Sequence, residues 1–207
     1  MNTKSKTAWV ACACLLMLSC TPLIGNGLSP DPVQTNQAGK TSPYFPLSVG
    51  NRWRYSCFVE GEYTFDKTLT ITAREKRQGR AYYRGELQVG DDPSSLELYY
   101  HVDELGGVHM SVDPMLTDDT LLVTMNPLPG DRIGNLRVAS EQDVETPGTD
   151  GIKALLIENF SLDDPQLHEE RRMEWEGRYY ARGIGLVIEA DGLGGSCSLK
   201  EFHQGTP

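Results

Sequence analysis

The chain has 207 residues, of which 39% are hydrophobic and 23% charged, a composition typical of a globular protein. Its 29 acidic and 19 basic residues give a formal net charge of -10. This charge argues against a nucleic-acid binder and against a protein held on anionic lipid by charge, because both need basic surfaces.

The first residues predict an export signal. Lys4 and Lys6 precede an apolar run from Ala8 to Leu18, which is shorter than the roughly 20 residues that span a membrane. The run ends in Leu-Met-Leu-Ser directly before Cys20, and this pattern resembles the lipobox of bacterial lipoproteins. The resemblance implies a signal peptide over residues 1–19 and a lipid anchor, with acyl chains such as palmitate, on Cys20. The alternative is an ordinary secretory signal that is cut slightly later and leaves Cys20 unmodified.

The segment that follows the lipobox predicts a flexible tether. Residues 20–45 are rich in proline and glycine and poor in apolar residues, so they cannot bury enough surface to offset the entropy of ordering. An ordered N-terminal strand is the alternative. Thr21 follows Cys20, and in the sorting rule of Gram-negative lipoproteins the absence of aspartate there implies the outer membrane. We therefore expect a cell-envelope protein that contacts the membrane through its lipid.

Residues 46–207 predict one antiparallel β domain, because apolar and polar residues alternate along them. A helical period is weak throughout, and we expect at most one helical turn, over residues 165–172. Strands are predicted at residues 52–59, 68–73, 80–90, 96–103, 108–113, 120–125, 135–142, 152–161, 171–181, 184–190 and 196–203. About ten short strands with tight turns predict an all-β domain: a strongly curved sheet, a half-barrel or a sandwich.

The cysteines predict a disulfide. Removal of the signal deletes Cys12 and Cys14, and lipidation uses Cys20, so that Cys57 and Cys197 remain in an oxidising compartment. Both lie in predicted strands on the face that carries apolar residues. We expect a Cys57–Cys197 disulfide; two separate buried thiols are the alternative.

Pairs of tyrosines at residues 82–83, 99–100 and 179–180 place one ring on each face of a strand. One ring of each pair should belong to the core. The others, Tyr83, Tyr99 and Tyr180, could form an exposed aromatic strip with Phe58 that contacts a partner. Ordinary aromatic packing across strands is the alternative.

The histidines give a weak metal signal. His101 and His109 fall on the polar faces of one predicted hairpin, where they could bind a metal together with Asp103 or Asp113. Two solvated histidines are the alternative, and without a third ligand at a defined spacing we expect no metal and no cofactor. The Asp118-Asp119 pair is expected to form a turn. Nucleophile, acid and base residues form no recognisable catalytic pattern, so we expect no enzyme activity.

Two segments carry a resemblance to a family. Residues 44–55 (YFPLSVGNRWRY) resemble the Y-F-P-L-x-x-G-N-x-W-x-Y opening of a broad set of uncharacterised bacterial lipoproteins, and residues 179–187 (YYARGIGLV) resemble their closing pattern. The resemblance implies a lipoprotein with an all-β domain and no particular activity. We therefore expect a non-enzymatic, lipid-anchored envelope module that acts structurally or contacts envelope proteins. The alternative is a carrier that binds a lipid or another apolar ligand in the concave face of the sheet.

Overall fold

The computed structural model describes residues 42–59, 61–77, 80–115, 117–134, 136–159, 176–191 and 194–205. The expectations for the signal peptide, for the anchor at Cys20 and for the helical turn at 165–172 lie outside these residues. The described residues belong to one compact unit. No helix among them is long and apolar enough to cross a membrane.

The described residues form a single antiparallel sheet of 12 strands, which confirms the all-β prediction. The strands are β1 (Arg52–Val59), β2 (Glu62–Arg77), β3 (Arg80–Val89), β4 (Ser95–Val102), β5 (Val108–Ser111), β6 (Thr120–Val123), β7 (Arg132–Ile133), β8 (Leu136–Thr146), β9 (Thr149–Asn159), β10 (Glu176–Ala181), β11 (Gly185–Asp191) and β12 (Gly195–His203). The strand that the sequence did not predict is β7, because two residues are too few to show an alternating pattern.

The order of the strands is that of an up-and-down barrel with one gap. Strands β1 to β6 pair in chain order, strands β7 to β12 do the same, and β1 pairs with β12 to join the two halves. The two edge strands, β6 and β7, follow each other in the chain and lie side by side, so the sheet is nearly closed. Because side chains alternate along each strand, the barrel has an inner and an outer face.

The inner face carries the hydrophobic core. Trp53, Tyr55 and Cys57 of β1 are almost fully buried, and they face buried residues of the strands around the barrel, including Ile71, Tyr100, Val138, Ile157, Tyr180, Val187 and Leu199. Phe45 stacks on Trp53 and Tyr100, with ring centroids 5.5 Å and 5.4 Å away. This part of the barrel interior is therefore occupied by aromatic side chains of the chain itself.

The packed part of the chain begins before residue 46, the boundary that the sequence predicts between tether and domain. Ser42, Tyr44 and Phe45 are buried, with exposed fractions of 1%, 4% and 3%. The Ser42 hydroxyl donates to the Thr124 carbonyl at 3.3 Å, close to the gap between the edge strands. The aromatic rings of this segment contribute enough buried apolar surface to order it, in spite of the prolines around them.

The opening and closing segments pack against each other. The Trp53 indole donates to the Ile184 carbonyl at 2.5 Å, and the Tyr55 hydroxyl donates to the Leu186 carbonyl at 3.1 Å. Gly185 has a φ of 106°, and a Cβ there would lie 3.2 Å from the Trp53 indole nitrogen. This position therefore requires glycine for its backbone conformation and for the close approach of the indole.

The predicted disulfide between Cys57 and Cys197 is confirmed. The two cysteines stand directly opposite each other on β1 and β12, the pair of strands that joins the two halves of the sheet. The bond closes a sequence separation of 140 residues. It thus links β1, the first strand of the domain, covalently to β12, the last strand.

Candidate functional site

The hairpin of β4 and β5 brings two histidines together on the outer face of the barrel. His101 and His109 are direct partners in the strand register, and their rings stack with centroids 4.8 Å apart. His101 is 5% exposed and also packs against the ring of Tyr82, at 5.5 Å between centroids. The predicted hairpin is confirmed, but His101 is buried rather than solvated.

Asp103 shapes the turn of this hairpin and orients one of the histidines. Its Oδ1 accepts hydrogen bonds from the backbone N–H groups of Leu105 and Gly107, each at 2.8 Å. Its Oδ2 lies 3.0 Å from Nε2 of His109. Gly107 provides the space for this contact, because a Cβ there would lie 2.8 Å from the same Oδ2. Burial opposes ionisation of Asp103, but these hydrogen bonds outweigh it and lower the pKa of the carboxyl group.

A third potential ligand, Asp119, comes from the loop before the edge strand β6. Its Oδ2 lies 3.4 Å from Nε2 of His101 and 3.5 Å from Nδ1 of His109. One donor atom from each of the three side chains falls within 4.8 Å of the others. Asp119 is exposed, whereas His101 is buried against the ring of Tyr82 and His109 is partly buried. The cluster is thus open to solvent on its carboxylate side.

His101 offers a nitrogen lone pair at neutral pH. Burial lowers the pKa of His101, and the neighbouring His109 lowers it further, against the opposite effect of Asp119. Within the described residues, Nδ1 of His101 and Nδ1 of His109 are buried side-chain atoms without a hydrogen-bond partner. A buried polar atom without a partner is costly, so these nitrogens call for an explanation.

Only part of this cluster could be recognised in the sequence. Of the two carboxylates considered as partners for the histidines, Asp103 contacts His109, whereas Asp113 hydrogen-bonds within its own loop, to Met115 and Thr117. Asp119 was expected only to form a turn. Asp119 is identified by the register in which β6 pairs with β5. Leu121 lies opposite His109, and Asp119 comes two residues before Leu121, so its side chain is on the same face of the sheet as His109.

The predicted strip of exposed aromatic residues is wrong. Tyr180 is 1% exposed because it faces the barrel interior, where its ring lies 6.4 Å from that of Phe45. Tyr99 is on the outer face but is 4% exposed, and its hydroxyl donates to Glu97 at 2.6 Å. Phe58 and Tyr83 are half-buried. These four residues therefore do not form a surface for a partner.

The interior of the barrel contains a second polar cluster. Lys67 lies 2.8 Å from Oε2 of Glu189 and 5.3 Å from the centre of the Tyr55 ring. Arg178 contacts Glu189 at 3.4 Å and Glu176 at 3.5 Å. The positive charge of Lys67 has the largest effect on the pKa of Glu189, and that of Arg178 has a smaller effect. Together they lower this pKa to about 2, against the opposing effect of burial. The two cations and two carboxylates balance, and Glu189 stays ionised at every physiological pH.

No protein-family model matches the chain, and no curated protein matches it in sequence. Solved structures with a similar fold include an inferred exported protein with a YmcC-like fold from Bacteroides fragilis, with a TM-score of 0.51 and 14% identity over 77% of this chain and 98% of that one. An inferred lipoprotein from Parabacteroides distasonis has a TM-score of 0.48 and 9% identity over 79% of this chain and 99% of that one. The first likeness shows that this chain has a YmcC-like fold.

Proposed function

We propose that this chain is an exported cell-envelope lipoprotein, anchored through Cys20 in the outer membrane, whose barrel is a non-enzymatic interaction module. Three observations support export. The N-terminus resembles a lipoprotein signal, and the Cys57–Cys197 disulfide requires an oxidising compartment to persist. The protein from Bacteroides fragilis that shares the fold is itself described as exported.

The aromatic packing inside the barrel is the observation that favours an interaction module over a carrier. Phe45 stacks between Trp53 and Tyr100, so the chain's own residues occupy the space that an apolar ligand would need. Further along the inner face, Lys67 and Glu189 form an ion pair. An apolar ligand beside this pair would have to desolvate charges. We therefore favour a domain that contacts envelope proteins with its outside.

The interior ion cluster also supports a non-enzymatic role. Glu189 has a strongly lowered pKa, which is a property of many catalytic groups. Here, however, two cations satisfy the carboxylate, and Arg178 is itself neutralised by Glu176. A carboxylate that is ionised and paired at every physiological pH is suited to holding strands together rather than to transferring protons.

The experiment that tests the anchor is intact mass spectrometry of the protein extracted from its native membrane, before and after reduction. We expect the mass of residues 20–207 with a diacylglyceryl and an acyl group, and a gain of two hydrogens on reduction. The Cys20→Ala variant should leave the membrane fraction, whereas the Cys14→Ala variant, altered within the signal, should stay. A chain that begins elsewhere than Cys20 and carries no lipid would overturn the proposed anchor.

The carrier alternative is tested on the same sample by native mass spectrometry. Lipid that is bound without a covalent bond survives gentle ionisation and is lost on denaturation, whereas the anchor is retained in both. We expect no stoichiometric noncovalent lipid. One lipid molecule per chain, retained through purification and exchanged for an added fatty acid, would replace the interaction module with a carrier.

A further inference from the structure

We propose that His101, His109 and Asp119 bind one divalent transition-metal ion of the zinc class, with Asp103 as the residue that orients His109. The site lies on the outer face, beside the edge strand β6, and it is independent of the lipid anchor. Histidine nitrogens and a carboxylate oxygen are ligands that zinc uses.

The hydrogen bond to Asp103 determines which nitrogen of His109 is available. A carboxylate only accepts hydrogen bonds, so Nε2 of His109 carries the proton in the 3.0 Å contact with Asp103. In the neutral form of the ring, which is the form that binds a metal, the lone pair is on Nδ1, which is buried without a hydrogen-bond partner and lies 3.5 Å from Oδ2 of Asp119. An acceptor faces an acceptor across this distance. A cation bound to both atoms turns the repulsion into attraction, and the Asp103 contact becomes the carboxylate–histidine–metal arrangement common at zinc sites.

Two of the three spacings between the donor atoms fit a small tetrahedral ion, and all three atoms lie within 4.8 Å of one another. Zinc bonds to nitrogen and oxygen are about 2.0–2.1 Å long, and a tetrahedron with such bonds has edges of about 3.3–3.4 Å. The Oδ2 atom of Asp119 lies 3.4 Å from Nε2 of His101 and 3.5 Å from Nδ1 of His109. Three protein ligands leave the fourth position for water or for a side chain of a partner, on the exposed side of Asp119.

The metal would stabilise the edge of the barrel. His101 and His109 are held rigidly by the β4–β5 hairpin, whereas Asp119 ends the loop that leads into β6. A shared ion would link this loop to the hairpin at the side of the sheet next to the gap. The stability of that edge, and any partner that supplies the fourth ligand, would then depend on the metal.

The test is zinc binding to the full chain, purified from membranes in detergent and stripped with a chelator, followed by isothermal titration calorimetry. We expect one zinc per chain. The Asp119→Asn variant should lose at least about 10–100-fold in affinity, the range seen when even an orienting group is removed. Asp103→Asn keeps an oxygen for the turn but loses the acceptor for His109, and we expect about a 10-fold loss or more. Asp118→Asn, with the same change of charge in the same loop, should bind within about 2-fold of the unaltered chain.

Cobalt substitution provides a second measurement that needs no variant. Cobalt in a tetrahedral site with nitrogen and oxygen ligands should give intense visible absorption bands, and zinc should abolish them by competition. Equal zinc affinity in the Asp118→Asn and Asp119→Asn variants would overturn the proposal, provided that both keep the far-ultraviolet circular dichroism of the unaltered chain. Absence of stoichiometric zinc binding and of the cobalt bands would overturn it without any reference to the variants.

Discussion

Replacement of Glu189 by glutamine should destabilise the barrel in a manner that depends on pH. Glu189 pairs with Lys67 at 2.8 Å and with Arg178 at 3.4 Å on the inner face. Glutamine keeps the size of the side chain but removes the negative charge, so that the half-buried Lys67 loses its carboxylate partner and Arg178 keeps only Glu176. The loss of one partner of an enclosed ion cluster is costly because the remaining charges are still desolvated.

The pKa of Glu189 sets the magnitude of this effect. Its lowering from 4.5 to about 2 corresponds to about 3 kcal/mol of stability, at about 1.4 kcal/mol for each pKa unit. The Glu189 side chain is 30% exposed, so solvent screens part of this energy, and we expect a loss of about 2–3 kcal/mol at pH 7. The folded pKa lies below the unfolded pKa. The contribution is therefore complete above about pH 4.5 and is lost as the pH falls towards about 2.

Urea denaturation at a series of pH values measures this contribution, with the disulfide kept intact. The free energies of unfolding of the unaltered chain and of Glu189→Gln should differ by about 2–3 kcal/mol at pH 7 and should converge near pH 2. Glu201→Gln is the matched control, because Glu201 is a half-exposed carboxylate on β12 that pairs with an exposed histidine. It should change stability by less than about 1 kcal/mol. A difference for Glu189→Gln that stays constant from pH 7 to pH 2 would refute the argument.

Three further predictions concern the core. The double replacement Cys57→Ser and Cys197→Ser should lower the free energy of unfolding by up to about 5 kcal/mol, since the bond closes 140 residues, and an unchanged urea midpoint would contradict this. Trp53→Phe leaves the Ile184 carbonyl without its indole donor and should lower the free energy of unfolding by about 1–3 kcal/mol. Thermal unfolding measures this loss, and a melting temperature equal to that of the unaltered chain would show that the hydrogen bond contributes nothing. In Gly85→Ala the new Cβ would lie 2.9 Å from the Tyr100 ring, so we expect the free energy of unfolding to fall by about 1–3 kcal/mol. Urea denaturation measures this change, and a gain in stability would show that the ring moves freely.

The alternating pattern predicts the strands because one face of the sheet is buried and the other contacts water. Leu69 and Ile71 are buried on the inner face, as their spacing of two indicates. The hairpin that holds the histidines was also predictable, because Gly106 adopts a φ of 82° in a short turn that fixes the register of the strands it joins. Local chemistry therefore determines both the strands and the pairing of His101 with His109.

Contacts between distant parts of the chain were not predictable in this way. Asp119 reaches the histidines only because β6 adds to the sheet in a particular register, with an irregularity between Val108 and His109. The alternating pattern also does not indicate how deeply a residue on the outer face is covered, which is why the prediction of an exposed Tyr99 is wrong. The polar composition around Phe45 predicts that it belongs to the tether, whereas its burial depends on an aromatic cluster that is completed by residues far along the chain.

The two polar clusters differ in whether their polar atoms all have partners, and this difference separates a structural role from a binding role. In the interior, each charge of Lys67, Arg178 and Glu189 has a partner of opposite sign, and the cluster gains nothing from an added ion. On the outer face, Nδ1 of His109 has no hydrogen-bond partner and lies 3.5 Å from Oδ2 of Asp119, and the cation that we propose would bind both atoms. The first arrangement stabilises the barrel at any physiological pH. The second is the arrangement for which we propose a bound metal, with water or a side chain of a partner as its fourth ligand.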